Sequence, residues 1–311
     1  MAGTAVIGAV FVDIKGFPAG RYDPHGRNLG IIKTVHGGVC RNVAENFANV
    51  GMPVSFIGMM EDSAIGRDVE QHLADIGVDL SHTVRVAENG IGMWMVILDE
   101  NGCQAGSISK IPDMRPLEEY LILHGEEIVK EADSIVLEVD LNEAIAERIF
   151  GLAEKYQKKV YTIVANLSVI RARPDLLTKT DCFICNEIEA AKLFGVEAVN
   201  RFSPEELLEF LPAAADSACI PAMVVTMGDK GLVFYDGRTK CAGICPICRT
   251  EVVDTSGAGD AFFSGTVMSL LRGLPLQEAV RYGTKLASMT IGRVETVCPV
   301  CKDFFGGKET E

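Results

Sequence analysis

The sequence predicts an α/β fold: a doubly wound, mainly parallel sheet with helices on both faces, and a small β-sheet lid standing off it. Three observations carry this expectation. Short β-rich runs alternate with segments of helical period along most of the chain. Runs such as Ser134 to Val139 and Met223 to Met227 are apolar almost throughout, as strands covered on both faces are. Two segments, 13–36 and 83–109, carry strand signals without partner helices, which places them in a separate sheet, either a lid over a substrate or an edge extension or dimer interface.

Taken in order, Thr4 to Val12 reads as the first strand. Met1 to Phe11 has no basic start and no cleavage site, so it is a strand rather than a signal peptide. Ile14 to Val35 is polar, rich in Gly, Pro and charge, and ends in the β-rich run Ile31 to Val35. Arg41 to Val50 is a helix with Val43, Phe47 and Val50 on one face. Val54 to Gly58 is a strand and Ile65 to Ile76 a helix. Thr83 to Ser109 is a hairpin turning at Asp99-Glu100-Asn101-Gly102. A strand at Ser134 to Val139 and a helix at Glu143 to Tyr156 follow. Val160 to Ala165 and Cys182 to Cys185 are strands, Glu187 to Phe194 a helix, and Met223 to Met227 and Leu232 to Tyr235 strands. Val252-Val253 ends a further strand. Ala258 to Leu271 and Leu276 to Ile291 are the closing helices, and the acidic tail Lys308 to Glu311 is expected to fray.

Composition limits the function. The 311 residues are 48% hydrophobic and 23% charged, enough apolar material for a sizeable core. A net charge of −14 disfavours nucleic acid and anionic membranes as partners, so an anionic substrate needs a local pocket of amides or cations. No apolar run reaches membrane-spanning length. Without an export signal the chain is expected to be cytoplasmic, its ten cysteines reduced. No linker divides it, so residues 1–311 are expected to form one domain.

Four clusters can carry chemistry. Asp254-Thr255-Ser256-Gly257-Ala258-Gly259-Asp260 is a small-residue turn entering an apolar helix, a place where backbone N–H groups converge on an anion. Asp260 is there either a helix cap or a general base. His36-Gly37-Gly38-Val39-Cys40-Arg41-Asn42 is either a tight turn or a close approach to a ligand, with Asn42 placed to bond a hydroxyl. Asn186-Glu187-Ile188-Glu189 follows a strand; Asn186 and Glu189 suit either Mg²⁺ held through water or a capping box. Thr226-Met227-Gly228-Asp229-Lys230-Gly231 can cradle a nucleotide phosphate or simply turn between two strands.

Together these clusters resemble the ribokinase (PfkB-type) carbohydrate and nucleoside kinase family. One family signature appears as Gly37-Gly38, Asn42, Ala48, Gly51, Ile57-Gly58, Asp62 and Gly66, the other as Asp254 to Asp260. The resemblance spans nearly the whole chain. It implies a ribokinase-like fold and ATP-dependent phosphorylation of a primary hydroxyl. By the same resemblance Asp260 is the base, and Gly257, Ala258 and Gly259 are the anion hole. Asp13 grips sugar hydroxyls beside Gly37, Gly38 and Asn42. Asn186 and Glu189 organise Mg²⁺ and the phosphates, and Thr226, Gly228 and Gly231 form the nucleotide turn. Asp254 and Ser256 match positions that hold a monovalent cation, K⁺, in some members. Val12 to Gly16, Gly38 to Asn46 and the lid run Ile97 to Gly102 are most similar to pseudouridine kinases, which act on a 5′-hydroxyl. Val164 to Val169 departs from that subgroup, as does Cys40. The alternatives are a kinase of ribose or a related sugar, a phosphosugar kinase suggested by Arg41, and a non-catalytic nucleotide- or sugar-binding regulator. A homodimer through the lid is expected.

Two features stand apart. Cys245-Pro-Ile-Cys248 and Cys298-Pro-Val-Cys301 have the spacing of a four-thiolate Zn²⁺ site, or are reduced, incidental or redox-active thiols. Trp94 lies between Met93 and Met95 on the lid, to stack on a base or to pack within the lid or a dimer.

Overall fold

The computed structural model of the protein describes residues 3–306. The expected tail at Lys308 to Glu311 lies outside them. The amino-terminal part runs β1 (Thr4–Ile7), β2 (Phe11–Pro18), β3 (Gly30–Gly37), α1 (Val39–Val50), β4 (Val54–Ile57), β5 (Met59–Glu61) and α2 (Ala64–Asp75). It continues through β6 (Val84–Val86), β7 (Gly92–Leu98), β8 (Gln104–Lys110), α3 (Arg115–Glu131), β9 (Ser134–Glu138), α4 (Glu143–Tyr156), β10 (Lys159–Ile163) and α5 (Ser168–Ala172). The remainder is β11 (Cys182–Asn186), α6 (Glu187–Phe194), α7 (Pro204–Ser217), β12 (Ala222–Thr226), β13 (Leu232–Asp236), β14 (Cys241–Cys245), α8 (Ala258–Leu271) and α9 (Leu276–Ile291).

The main sheet has eight strands in the order β14-β13-β12-β11-β10-β9-β1-β4. The six from β12 to β4 are parallel; β13 and β14 add antiparallel at one edge. Side-chain alternation divides the core between the two faces. Ile135 and Leu137 of β9 pack with α3, α4 and α7 through Leu117, Leu121, Ile149 and Leu207. Val136 between them packs on the other face with α1, α2, α8 and α9 through Phe47, Leu73, Phe263 and Leu286. Burial on both faces explains the uninterrupted apolar strands. Strand order, parallel pairing and helices on both faces meet the expected doubly wound fold.

A second sheet of four strands, β3-β2-β7-β8, stands apart as the lid. β7 and β8 are the expected hairpin, closed over Asp99, whose side chain accepts from the Asn101 and Cys103 N–H groups at 2.8 Å. Its two faces differ. Asp13 and Lys15 of β2 and Trp94 of β7 share one face. The opposite face carries Ile32, Met95, Ile97 and Ile108, all exposed.

Several boundaries differ from the sequence expectation. The first strand is two: it breaks at Gly8, where a Cβ would lie 2.2 Å from Cys40 Cβ, and β1 and β2 join different sheets. Val84–Val86 pairs with β5 rather than with the lid. Val252 and Val253 form no strand; they are exposed, and the last strand is β14, which stops before Pro246. Three helices lie outside the sequence expectation: α3, the short α5 and α7. α3 shows Leu117, Leu121 and Ile128 on one buried stripe, and α7 opens with a capping box between Ser203 and Glu206.

Candidate active site

The parallel strands direct their carboxyl ends to one edge of the sheet, where open α/β folds bind ligands. The candidate residues gather there in two groups.

The first group is assembled by α1, α8 and β2. Gly257, which precedes α8, has φ +76°, a left-handed geometry that glycine adopts at no steric cost. A Cβ there would lie 1.8 Å from the Thr296 carbonyl oxygen, whereas a Cβ on Gly259 would meet nothing within 4 Å. The turn is therefore wedged against the chain on one side and open at Gly259. Asp260 sits in the first turn of α8, where the positive end of the helix favours a carboxylate.

α1 runs alongside α8 and presents asparagines one turn apart. Asn42 Nδ2 donates to Asp260 Oδ2 at 2.6 Å, and Asn46 Nδ2 to Ser264 Oγ at 3.2 Å. Ser264 Oγ in turn donates to the Asp260 carbonyl at 2.6 Å. This regular stitching sets the register of the two helices and brings Asn42 to Asp260. From the lid, Asp13 reaches the same place: a Cβ on Gly37 would lie 2.8 Å from Asp13 Oδ1.

Electrostatics suit a proton acceptor. Burial pushes the Asp260 carboxyl up to about 6; the Asn42 amide and the Arg41 charge oppose this, and Asp13 adds to it. Asp13 is also raised by burial, against the pull of Lys15 and Arg41. Glu138, at the end of β9, is pushed up to about 7 by burial, with the charges of Asp140 and Asp260 adding. It accepts the Ala9 N–H at 2.9 Å.

Arg41 does not reach for a phosphorylated substrate. It is buried and turned inward, donating to Glu45, to Asn42 Oδ1, to the His36 carbonyl at 2.8 Å and to the Gly37 carbonyl at 3.2 Å. Because Arg41 holds the oxygen of the Asn42 amide, its NH₂ must face Asp260. Glu45 balances the guanidinium, and its other oxygen bonds His72 at 2.7 Å. Leaving one charge of such a buried pair unpartnered costs about 3–5 kcal/mol, so the pair works as a unit that orients Asn42.

The second group lies at the ends of β11 and β12, where Asn186 and Thr226 are register partners. Asn186 and Glu189 form a full capping box: Glu189 N donates to Asn186 Oδ1 at 2.8 Å and Asn186 N to Glu189 Oε2 at 2.9 Å. Thr226 Oγ1 donates to the Cys185 carbonyl at 3.4 Å. Gly228 and Gly231 take φ +59° and +91° in the hairpin between β12 and β13. The local alternatives, a cap and a turn, are thus both present. Burial raises the carboxyls of both Asp140 and Glu189, and the nearby Glu189 charge adds to the rise at Asp140. Asp260, Glu138, Asp140 and Glu189 thus form a line of acids that joins the two groups.

The four thiols of the predicted zinc site do not come together. Cys298 is buried under α1, its N–H donating to Asn46 Oδ1 and its carbonyl accepting from Asn49 Nδ2, both at 2.8 Å. Cys245 closes β14 beside Thr284, at 3.9 Å, and Cys248 is exposed. Among the described residues no group of three or more His, Cys, Asp or Glu side chains is placed to hold a metal. One pair is tied to α1 through Cys298 and the other lies at the end of β14 through Cys245, so the matching spacings do not make one site.

Sequence reasoning missed Lys15, Glu138, Asp140 and Thr296. Two of them had a signal. Lys15 lies two residues from Asp13 on one strand face, and Glu138 is a lone acid in an otherwise apolar strand.

Residues 1–301 match the family described as pfkB family carbohydrate kinase. The chain is 34% identical over 291 residues to a guanosine-inosine kinase of Exiguobacterium acetylicum, covering 94% of this chain and 95% of that one. It is 25% identical over 287 residues to a pseudouridine kinase of Escherichia coli K12, covering 92% and 89%. Its fold is similar to that of Arabidopsis thaliana ribokinase, solved with ribose and ATP, with a TM-score of 0.81 at 21% identity over 98% of each chain. No described helix is long and apolar enough to cross a membrane.

Proposed function

The chain belongs to the pfkB family of carbohydrate kinases, phosphotransferases with an alcohol group as acceptor, and within it we propose a nucleoside kinase that uses ATP to phosphorylate a primary hydroxyl. The observation that carries the reading is Asp260, held at 2.6 Å by Asn42 beside the open face of the Gly257–Gly259 turn.

Asp260 accepts the proton of the acceptor hydroxyl. That oxygen attacks the γ-phosphorus, the bond to the bridging β–γ oxygen breaks, and ADP leaves with the electron pair. A base near 6 is mostly ionised at neutral pH yet still able to take a proton. The backbone N–H groups of Gly257, Ala258 and Gly259 neutralise charge on the transferring group. Asp13, Gly37, Gly38 and Asn42 hold the hydroxyls of the acceptor, and Trp94, opposite Asp13 in the lid ladder, covers its base. Asn186, Thr226, Gly228 and Gly231 bind the nucleotide phosphates.

Mg²⁺ fits the second group as an ion that keeps most of its waters: the donors there are two half-buried carboxylates and an amide, too few for a closed protein cage. Asn186 and Glu189, with Asp140 beside them, would hold it through water, and it would screen phosphate charge.

The 34% identical relative favours guanosine and inosine as acceptors. Pseudouridine is the second reading, favoured by Val12 to Gly16 and Gly38 to Asn46. ADP release measured with guanosine, inosine, pseudouridine, cytidine, ribose and fructose 6-phosphate decides between them. The expected result is the highest kcat/KM on a purine nucleoside. A preference for ribose or a phosphosugar would refute the nucleoside reading, and nucleotide binding without turnover on any of them would indicate a regulator.

The exposed apolar face of the lid, with Ile32, Met95, Ile97 and Ile108, is the surface on which a second copy of this chain packs. A dimer mass is expected by light scattering at micromolar concentration, and Ile108→Lys should shift it to a monomer. A monomeric parent protein would refute the dimer.

A further inference from the structure

The turn that leads into the anion hole already contains a cation, and it is part of the chain. Lys15 Nζ donates to Ser256 Oγ at 2.9 Å and lies 3.6 Å from Asp254 Oδ2. Its side chain is only 12% exposed, although it is carried by a lid strand. The other Asp254 oxygen, Oδ1, accepts the Ser256 N–H at 2.8 Å. Both carboxylate oxygens and the serine hydroxyl are therefore engaged. Burial alone would raise the Asp254 carboxyl, yet the Ser256 N–H and hydroxyl and the Lys15 charge hold it below its ordinary range.

These are the positions where the family resemblance would put K⁺, and they do not fit it. An ammonium with three donors takes up a monovalent charge in about the space of that ion. A second cation packed against the ammonium would be repelled by its like charge. We propose that Lys15 is the resident cation of the Asp254–Ser256 turn, standing in place of a monovalent metal ion, and that the lid strand delivers it.

The placement follows from the strand. Lys15 lies two residues beyond Asp13 on the same face of β2, so one lid strand brings both an acceptor-gripping carboxylate and the counter-charge for the turn. Lys15 acts through Asp254 and Ser256 on the Gly257–Gly259 amides, and it is a positioning residue. Its charge also offsets a crowd of acids, since it lowers both Asp13 and Asp254. The assignment rests on the phosphoryl-transfer reading of that turn.

The test compares the parent protein with Lys15→Met, in KCl and in N-methyl-D-glucamine chloride of equal ionic strength. Turnover and thermal midpoint are read for each. The parent protein is expected to differ by less than about twofold in rate between the salts, and its midpoint should not move. Lys15→Met should lose roughly tenfold or more in the organic salt and regain most of it in KCl, with a midpoint that KCl raises. A parent protein that needs KCl overturns the assignment. So does a variant with full turnover in both salts, or one whose loss KCl does not restore. If the parent protein transfers no phosphoryl group in either salt, the kinase reading fails instead, while the midpoints of the two proteins still report whether Lys15 fills a cation site.

Discussion

Asp260→Asn should lower turnover by roughly 10²–10⁴-fold while nucleoside and nucleotide binding persist. The same substitution should make the folded protein more stable at pH 8. The sign follows from proton binding. In the folded state the Asp260 carboxyl sits at about 6, above its ordinary 3.8. The native state therefore holds that proton more tightly than the unfolded chain, and native stability falls as pH rises from about 4 to about 6. Asparagine carries no charge to bury, so it should gain on the order of 1–2 kcal/mol above pH 6, shrinking towards pH 4. The wild-type rate should fall as pH drops through about 6, where the base becomes protonated, and the residual rate of the variant should lack that limb. Thermal midpoints at pH 8 and pH 5, with rates across the same range, check both halves. Near-wild-type turnover in the variant would remove Asp260 from the role of base.

Gly257→Ala and Gly259→Ala, two residues apart, should behave in opposite ways. At Gly257 a Cβ needs a left-handed backbone at φ +76° and would lie 1.8 Å from the Thr296 carbonyl oxygen. Backbone on both sides cannot yield, so a loss of roughly 2–5 kcal/mol in stability is expected, with activity lost through the displaced turn. At Gly259 a Cβ meets nothing within 4 Å, and the residue is inside α8. Alanine there should leave stability unchanged or raise it by up to about 1 kcal/mol. The empty space it fills is where the transferred group would lie, so turnover should still fall about tenfold or more. Urea midpoints and initial rates for the two variants separate these outcomes. A Gly259→Ala protein with normal rates would exclude this turn from the phosphoryl site.

The fold was legible because burial on both sheet faces leaves a mark on composition. Runs such as Ser134–Glu138 and Ala222–Thr226 have no solvated side, and the helices between them carry single apolar stripes. Helices α3 and α7 are faint in the sequence because their stripes, Leu117, Leu121 and Ile128 in one and Leu207, Leu211 and Ala215 in the other, are diluted by charged residues. Val252 and Val253 read as strand by propensity, but they have no neighbouring strand to pair with once the chain passes Pro246. The break at Gly8 was hidden for a related reason. The run Thr4 to Val12 is β-forming throughout, and only the crowding of Cys40 and Glu138 around Gly8 divides it between two sheets.

The site divides along the same line. Local chemistry was readable: the small-residue turn before Asp260, the Asn186–Glu189 pair and the Thr226–Gly231 turn are contiguous words in the chain. Their alternatives were equally readable, and at Asn186 and Glu189 the cap is present whatever else the pair does.

The sequence by itself therefore determined the layered α/β architecture, a separate small sheet and the family, and it named the candidate site residues, because periodicity and turn chemistry are set over a few neighbouring positions. Only the tertiary structure decided that Arg41 faces inward to orient Asn42, that Glu138 and Asp140 join the site, that the two Cys pairs stay apart and that Lys15 meets Asp254 and Ser256. Each of these depends on groups far apart in the chain, Lys15 and Ser256 being 241 positions from one another. Their energies come from burial and charge at contact distance, quantities that no local pattern of residues encodes.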